Sequence, residues 1–405
     1  MSVNKTANNK LPIIVIGTGT IGVTFVNELL FRQPGAAIKV FGGEPQQPYS
    51  RENLSKLLAG EMTKETLHSR NKLHSSNDVQ VFLNNPIVDI DTKNTEITDS
   101  EGVKHPYSKL VLAVGSFPRT LDIEGTDLKH VFTFRNINDA DLLKIRQVSS
   151  RNTVVIGGGL VGLDTAYAMN QYNTNVTVVE TSSRLMSLLL DDHASVYLRL
   201  FLDDLDINVL NKTNVVRIEG KGKVEKVVLD NGEVIPCDTV VISIGIILNT
   251  ILAKSIGLNV KRGIVIDDQL QTSKKNIYAI GECAEHRDRI YGIVQPEFDQ
   301  AAVLAKVIAG GKAKYTGTVT ANKLGVVEYP ILSIGDNGDS GNCKEIMYRD
   351  IKRMIYRKLV LKRGYLHGIV AAGPWEDNDK LHEFVAKRQY IWPWQITKFI
   401  NTGRI

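Results

Sequence analysis

The chain has 405 residues, of which 43% are hydrophobic and 23% are charged. This composition is typical of a folded globular protein, and it excludes a disordered, collagen-like or disulfide-stapled chain. There is no apolar run long enough to cross a bilayer, no signal-peptide pattern and no CxxC among the three cysteines. We therefore expect a cytoplasmic protein with no transmembrane segment and no metal site.

The net charge of +5 is unevenly distributed along the chain. Residues 344–405 hold thirteen Lys/Arg and six Asp/Glu, so this segment carries +7 while residues 1–343 carry −2. Such an asymmetry indicates either an acidic partner or a solvated basic face. We expect no nucleic-acid binding, because no basic helix or known reading motif accompanies the charge.

The first ten residues are polar, and we predict them to be disordered. A nucleotide-binding pattern follows them. A buried strand at 11–16 leads into the turn Gly17-Thr-Gly-Thr-Ile-Gly22, and a helix is predicted over 23–31. The next strand, 38–41, is followed by Glu44. Strand, glycine turn, helix, strand and acid are, in order, the parts of a dinucleotide-binding unit.

The same pattern recurs about 140 residues later, a spacing too large for a solenoid repeat. The strand 153–156 leads into the turn Gly157-Gly-Gly-Leu-Val-Gly162, and a helix is predicted over 163–172. A strand at 176–179 then ends at Glu180. Two copies indicate two dinucleotides, most economically FAD and NAD(P)H, between which a hydride passes.

The remaining predicted elements complete these two units and add a third region. Buried strands that precede a glycine lie at 110–114, 238–244 and 277–280, and a helix is predicted over 297–309. From residue 319 the pattern changes to strands, with a hairpin turn at Gly364 between 358–361 and 366–371. The chain closes on an amphipathic aromatic tail, 391–400.

Each glycine in the two turns has its own task. The first permits the tight turn after the strand, the second lets the backbone approach a pyrophosphate, and the third lets helix and strand pack closely. The acid after the second strand accepts hydrogen bonds from ribose hydroxyls. The residues in these roles are Gly17, Gly19, Gly22 and Glu44 in the first copy, and Gly157, Gly159, Gly162 and Glu180 in the second.

Four further segments make the chain resemble a known family over nearly its whole length. They are Pro48-Tyr-Ser-Arg-Glu-Asn-Leu-Ser-Lys56, Ala113-Val-Gly-Ser-Phe-Pro-Arg119, Thr272-Ser273 with Ile277-Tyr-Ala-Ile-Gly-Glu-Cys-Ala284, and Tyr291-Gly-Ile-Val-Gln-Pro296. With the glycine turns, they resemble the pyridine nucleotide–disulfide oxidoreductase superfamily. Within it, the chain is similar to NADH-dependent rubredoxin and ferredoxin reductases and to the flavin-containing part of NADH nitrite reductases.

The resemblance implies an α/β fold with two interleaved Rossmann-like dinucleotide-binding domains and a C-terminal α+β domain. The FAD-binding domain is then discontinuous, because the segment around Gly281 must return to the flavin site. The expected boundaries are 1–120 for the first part of the FAD-binding domain, 121–245 for the NAD-binding domain, 246–318 for the second part of the FAD-binding domain, and 319–405 for the C-terminal domain.

The resemblance also assigns roles to single residues. It implies that NAD(H) binds at the second glycine turn, and that FAD is bound by Gly17, Gly19, Gly22, Glu44, Arg51, Lys56, Ala113, Gly281, Glu282 and Pro296. Lys56 is expected near the isoalloxazine, with Asp164 as its candidate partner near the nicotinamide. The family usually carries Asp at position 282 and Glu at position 164. Because Asp164 is one methylene shorter than the usual Glu, it could instead be an ordinary helix residue that does not pair with Lys56.

The thiol-dependent members of the superfamily carry a redox cysteine near the flavin, at positions corresponding to 50–53, or a CxxC pair. This sequence has neither, and we expect Cys283, inside the second FAD motif, to be a packing residue. Electrons are then expected to pass from FAD to a small acidic carrier such as rubredoxin or ferredoxin. Two alternatives stay open: the reductase component of a nitrite reductase-like system, unable to reduce nitrite alone, and a flavin-bound regulatory protein with little turnover.

Three further choices depend on single features. Glu180 favours NADH over NADPH, because a carboxylate repels a 2′-phosphate and accepts from a 2′-hydroxyl, whereas Arg184 could bind a phosphate or be a surface residue. The basic aromatic stretch 387–394 either docks a partner or packs on the C-terminal domain. A homodimer also stays open.

Overall fold

The computed structural model describes residues 11–69, 72, 73, 76, 78–172, 174–324, 328–339, 341–375 and 378–405. The predicted disorder of residues 1–10 lies outside this description. The chain divides into two compact units, each assembled from three segments. The first unit comprises Met1–Arg51, Lys64–Phe117 and Ile247–Thr318, and the second comprises Glu52–Thr63, Pro118–Ile246 and Val319–Ile405.

The first unit is built on a five-stranded parallel sheet. Its strands, in spatial order, are Ile277–Ala279, Lys109–Leu112, Ile13–Ile16, Ile38–Phe41 and Val79–Phe82. The central strand is apolar and buried along its whole length, as expected for a parallel strand with both faces covered. The helices Thr20–Arg32 and Val294–Ile308 pack against each other. The first of these begins directly after Gly19, within the first glycine turn.

Smaller elements complete the first unit and its connections. They are the antiparallel strands Ile87–Asp91, Glu96–Asp99 and Lys104–Pro106, the parallel pair Ile264–Ile266 and Ala284–His286, and the helices Arg51–Asn53, Lys64–Ser69 and Ile251–Ser255. The first of these helices is a single 3₁₀ turn that runs across the boundary into the second unit. The chain passes between the units at Ser116–Pro118 and Ile246–Leu248, which pair as a two-stranded sheet.

The second unit repeats the parallel-sheet plan. Its five parallel strands, in spatial order, are Ile207–Asn211, Asn175–Glu180, Asn152–Ile156, Thr239–Ile242 and Val131–Thr133. The surrounding elements are the helices Ile137–Gln147, Leu160–Asn170 and Asp192–Asp204 and the antiparallel strands Val215–Glu219, Lys226–Leu229 and Val234–Pro236.

The helix Leu54–Leu58 also belongs to the second unit. The buried amide of Gln147 explains this placement, because its Nε2 donates to the carbonyl oxygens of Leu58 at 3.2 Å and Ala168 at 3.0 Å. One side chain thus joins three helices of this unit.

The C-terminal part of the second unit is a five-stranded antiparallel sheet with two helices. Its strands, in spatial order, are Ala321–Lys323, Ile331–Gly335, Tyr365–Ala372, Ile355–Lys362 and Lys344–Asp350, and its helices are Asn378–Ala386 and Pro393–Thr402. The hairpin at Gly364 is as predicted. In the tail, Ile391 and Phe399 are buried, whereas Trp392 and Trp394 are 57% and 65% exposed.

The predicted fold class is confirmed: two parallel α/β sheets and a C-terminal α+β sheet are present. The predicted elements recur with shifted ends; for example, the helix predicted over 163–172 is Leu160–Asn170, because Gly159 is its N-cap and Gly162 lies in its first turn. No helix within the described ranges is long and apolar enough to span a membrane. The domain boundaries stay predictions, although the units change near residues 117 and 247.

The terminal helix offers a direct test of the C-terminal core. Phe399 is fully buried there, so Phe399→Ala is expected to lower the free energy of unfolding by about 3–5 kcal/mol. Trp394→Ala, on the same helix, removes a larger but exposed side chain and should change it by less than about 0.5 kcal/mol. Urea unfolding of both variants measures the difference. Equal losses would contradict the packing of this helix.

Candidate functional site

The three glycines of the first turn differ in the space around them. A side chain on Gly17 or Gly22 would collide with the backbone, whereas the space at Gly19 is open. Gly17 has φ +126°, and a Cβ there would lie 2.1 Å from the carbonyl oxygen of Ala113. A Cβ on Gly22 would lie 2.1 Å from the carbonyl oxygen of Gly17. At Gly19 the nearest atom is Nε of Arg51, 3.9 Å away. The open space at the second glycine is therefore bordered by a cation, which suits a diphosphate.

Glu44, the predicted ribose acid, is held by two side chains. The Tyr49 hydroxyl donates to its Oε2 at 2.7 Å, and the Arg51 guanidinium forms an ion pair with its Oε1. Burial works against the charge of Arg51, but Tyr49, whose ring lies 5.0 Å away, and Glu44 outweigh it and raise the arginine pKa. One guanidinium thus borders both the open space and the predicted ribose acid.

The second predicted FAD segment lies in the same unit. The N–H of Gly281 donates to Oε1 of Gln300 at 2.9 Å, and the Ser116 hydroxyl donates to Glu282 at 2.8 Å. Pro296 is buried in the first turn of the helix that carries Gln300. All the residues predicted to bind FAD fall in the first unit, except Lys56.

The second glycine turn repeats the geometry of the first. A Cβ on Gly157 would lie 2.2 Å from the carbonyl oxygen of Ser243, and a Cβ on Gly162 would lie 2.0 Å from that of Gly157. Nothing lies within 4 Å of a Cβ on Gly159. Again the second glycine alone faces open space, so both turns fit a dinucleotide diphosphate.

Glu180 is held against this turn. Its Oε2 accepts from the N–H of Gly158 at 2.7 Å, and its Oε1 accepts from the N–H of Ser182 at 2.7 Å. The acid is therefore fixed beside the turn, where a nucleotide ribose would lie. Arg184, the candidate phosphate contact, forms an ion pair with Asp339 at 2.7 Å.

The two predicted catalytic residues both belong to the second unit. Lys56 lies in the helix Leu54–Leu58, which packs against the helix Leu160–Asn170 that carries Asp164. The Ser55 hydroxyl donates to Oδ2 of Asp164 at 3.1 Å, and Asp164 is buried. The carboxylate thus contacts the helix of Lys56 through its neighbour, and the catalytic roles stay predictions.

Burial makes two of the three cysteine thiols unreactive. Cys283 is fully buried, and its Sγ contacts the carbonyl oxygens of Ile280 at 3.3 Å and Leu112 at 3.5 Å. Burial raises the pKa of this thiol to about 12, and it does the same for Cys237. Neither forms a thiolate near neutral pH, which agrees with the expected packing role of Cys283.

Sequence reasoning missed the residues that orient the predicted ones. Tyr49 and Ser116 lie inside the quoted segments but were not assigned roles, and Gln300 lies in a helix recognised only by its apolar pattern. A buried polar residue in such a helix is the signal that could have found Gln300. Within the part of the chain that is described, no group of His, Cys, Asp and Glu could hold a metal ion.

Two family models match the chain. The model of the pyridine nucleotide-disulphide oxidoreductases matches residues 11–304, and the model of the rubredoxin NAD+ reductase C-terminal domain matches residues 321–389.

Curated proteins and solved structures give the same picture. A nitrite reductase of Bacillus subtilis is 35% identical over 94% of this chain, which spans only 48% of that relative. A rubredoxin-NAD(+) reductase of Ectopseudomonas oleovorans is 36% identical over 70% of this chain and 74% of the relative. The covalent putidaredoxin reductase–putidaredoxin complex has a TM-score of 0.87 at 23% identity, covering 97% of this chain and 98% of that one, and so shows the fold.

The open position in the second turn yields a test. Gly159 has ordinary extended dihedrals, so Gly159→Ala should leave the thermal unfolding midpoint unchanged while its methyl group weakens NADH binding by about tenfold or more. Gly162→Ala collides with backbone and should lower the midpoint instead. Calorimetric titration with NADH and a thermal scan separate the two effects. Unchanged NADH binding by Gly159→Ala would show that the nucleotide does not use this turn.

Proposed function

The chain belongs to the pyridine nucleotide-disulphide oxidoreductase family, and we propose that it is an FAD-dependent NADH oxidoreductase that reduces a small redox protein such as rubredoxin or ferredoxin. The observation that carries this is the pair of glycine turns, each with open space at its second glycine and an acid beside it. The match of residues 321–389 to the C-terminal domain of rubredoxin NAD+ reductases supports the choice of acceptor.

The two nucleotides have separate sets of residues. FAD would be held by Gly17, Gly19, Gly22, Glu44, Arg51, Lys56, Ala113, Gly281, Glu282 and Pro296, and NADH by Gly157, Gly159, Gly162 and Glu180. Bound FAD supplies the redox chemistry, accepting a hydride and giving up single electrons. The chain's own contribution is positioning and exclusion of water, with Lys56 and Asp164 in the catalytic roles.

The choice of NADH over NADPH rests on charge. The Glu180 carboxylate, fixed by two backbone N–H groups, is suited to accept from a ribose 2′-hydroxyl and would repel a 2′-phosphate. NADPH is therefore the weaker substrate.

Electrons leave without a thiol step in this proposal. Burial raises the pKa of Cys283 and of Cys237 to about 12, so neither supplies a thiolate. The cysteines are unpaired thiols, which supports a reducing location such as the cytoplasm.

A second candidate is the reductase component of a nitrite reductase-like system. The observation that favours it is the 35% identity to the Bacillus subtilis nitrite reductase across 94% of this chain. In that case the electrons would go to a redox group carried on another domain or subunit. In the experiment below, reduction of rubredoxin or ferredoxin favours the first candidate, whereas flavin that NADH reduces but that reduces neither carrier favours the second.

The central experiment follows electrons from NADH to the acceptor. The purified protein should release FAD on denaturation, and anaerobic NADH should bleach the flavin faster than NADPH does. Reduced protein should then reduce rubredoxin or ferredoxin, and Cys283→Ala should behave like the unmodified chain. Flavin that binds but is not reduced by NADH would instead indicate a regulatory protein with little turnover.

The basic aromatic stretch 387–394 predicts where the carrier docks. Lys387, which forms an exposed ion pair with Glu383, and Arg388 are both exposed, so an acidic carrier should be steered there and its reduction should slow as salt rises. Lys387→Glu with Arg388→Glu should slow carrier reduction roughly tenfold at low salt, within the range of electrostatic steering. Stopped-flow rates with the carrier and with a small neutral quinone measure this, and the quinone rate should not change.

A matched control reverses two exposed charges in the turn between the strands Lys344–Asp350 and Ile355–Lys362. Lys352→Glu with Arg353→Glu makes the same change in net charge outside the stretch 387–394, so it should slow the carrier much less. Equal slowing by the two variants would mean that only overall charge attracts the carrier.

A further inference from the structure

The segment 181–191, which follows Glu180, contacts both the second glycine turn and the C-terminal sheet. On one side, the N–H of Met186 donates to the carbonyl oxygen of Gly158 at 2.9 Å. On the other side, the hydroxyl of Ser333 donates to the carbonyl oxygen of Leu189 at 2.7 Å. A few residues therefore contact both the predicted nucleotide site and the sheet that follows residue 319.

A buried ionic cluster fixes the end of this segment. Lys358 is 2% exposed, and its Nζ lies 2.7 Å from Oδ2 of Asp191 and 3.2 Å from Oε1 of Glu345. The Tyr356 hydroxyl donates to the same Oδ2 at 2.6 Å. Burial alone would raise the pKa of Asp191, but the bonds from Lys358 and Tyr356 outweigh it and lower that pKa. The carboxylate therefore stays charged and holds the segment on the sheet.

Arg184 lies inside this fixed segment, and its charge is already engaged. Its Nη2 lies 2.7 Å from Oδ2 of Asp339 and donates to the carbonyl oxygen of Ser187 at 3.1 Å. Its Nη1 lies 3.1 Å from Oδ1 of Asp192. Its Nε is buried and has no hydrogen-bond partner among the described residues. Two carboxylates, one of them from the C-terminal sheet domain, thus neutralise the guanidinium.

An arginine near the ribose acid is the group that accepts a 2′-phosphate in NADP-binding sites. Arg184 has the right position along the chain, because the residues on either side of it, Glu180 and Met186, contact the turn at Gly158. The guanidinium and its two carboxylates together carry a net charge of −1, and a phosphate would have to displace at least one of these partly exposed partners, which costs free energy. Its availability therefore depends on its partners.

We propose that Asp339, together with Asp192, determines nucleotide specificity by sequestering Arg184, so that the site selects a nucleotide without a 2′-phosphate. This rests on the proposed NADH site. It assigns the C-terminal domain a role in coenzyme choice, since Asp339 belongs to that domain and the Asp191 cluster holds the domain to the segment. Selectivity then has two sources, repulsion by Glu180 and the sequestered arginine.

The test uses the FAD-loaded full chain and calorimetric titration with NADP+ and NAD+. Asp192→Asn with Asp339→Asn should tighten NADP+ binding by about three- to tenfold, the range expected when one or two partly exposed ion pairs are removed. NAD+ binding should change less than about twofold, because NAD+ carries no 2′-phosphate for Arg184 to meet. Asp339→Asn alone should give a smaller gain, and it serves if the double variant is unstable.

Three further variants decide the cause. Arg184→Gln in the unmodified chain should leave NADP+ binding unchanged, since the arginine is not available there. Adding Arg184→Gln to the double variant should abolish the gain. Asp336→Asn removes a carboxylate from the same loop that pairs with Lys362 rather than with Arg184, so it should give no gain.

Each contrary result overturns the proposal. A gain that survives Arg184→Gln, or that Asp336→Asn reproduces, would be an effect of net charge alone. Weaker NADP+ binding after Arg184→Gln alone would show that the arginine is already available. If NAD+ binds normally and no gain occurs, only the sequestration is wrong, whereas a chain that binds neither nucleotide contradicts the proposed function as well.

Discussion

The close approach between the first and third glycines of each turn is the constraint on which both sites depend. A methyl group on Gly22 or Gly162 would lie about 2 Å from a backbone oxygen of Gly17 or Gly157, so helix and strand could not remain in place. This contact sets the direction in which each helix leaves its sheet. The N-terminus of that helix then faces the open space at the second glycine, where its unpaired N–H groups and dipole suit a phosphate.

Much of this arrangement could be predicted, because it is local. The turn, the buried strand before it and the acid after the next strand lie within 34 residues in the first copy and 28 in the second, and the apolar periodicity predicts the sheet. The pairing of Gln147 with Leu58 and Ala168 was not predictable. It joins residues far apart in the chain, and the sequence carries no period that links them. The sequence pattern therefore does not indicate that Glu52–Thr63 belongs to the second compact unit.

The charge excess of residues 344–405 shows a related limit. The charge count treats every Lys and Arg alike, but in the structure some of these side chains are exposed and others are buried. The guanidinium of Arg357 is buried and donates to the carbonyl oxygens of Gly403 at 2.8 Å and Pro374 at 2.6 Å, and Lys358 is in the ionic cluster with Asp191. These two cations stabilise the domain and add little to its surface. The basic face that a partner could meet is therefore smaller than the count of thirteen suggests.

The hairpin 355–372 carries the buried ionic cluster and also contacts the basic aromatic stretch 387–394. Tyr356 and Lys358 lie on the strand Ile355–Lys362, and Tyr365 begins the strand that returns from the turn, where it forms a bridge to Tyr390 in the stretch 387–394. Along the hairpin, Arg363 and Tyr365 at the turn are exposed, whereas Tyr356 and Lys358 are buried and contact Asp191. Charges introduced at Lys387 and Arg388 are exposed to solvent, which screens their effect on the ionic cluster. The proposed docking of a carrier and the proposed selection of a nucleotide therefore depend on different residues of the C-terminal part of the second unit.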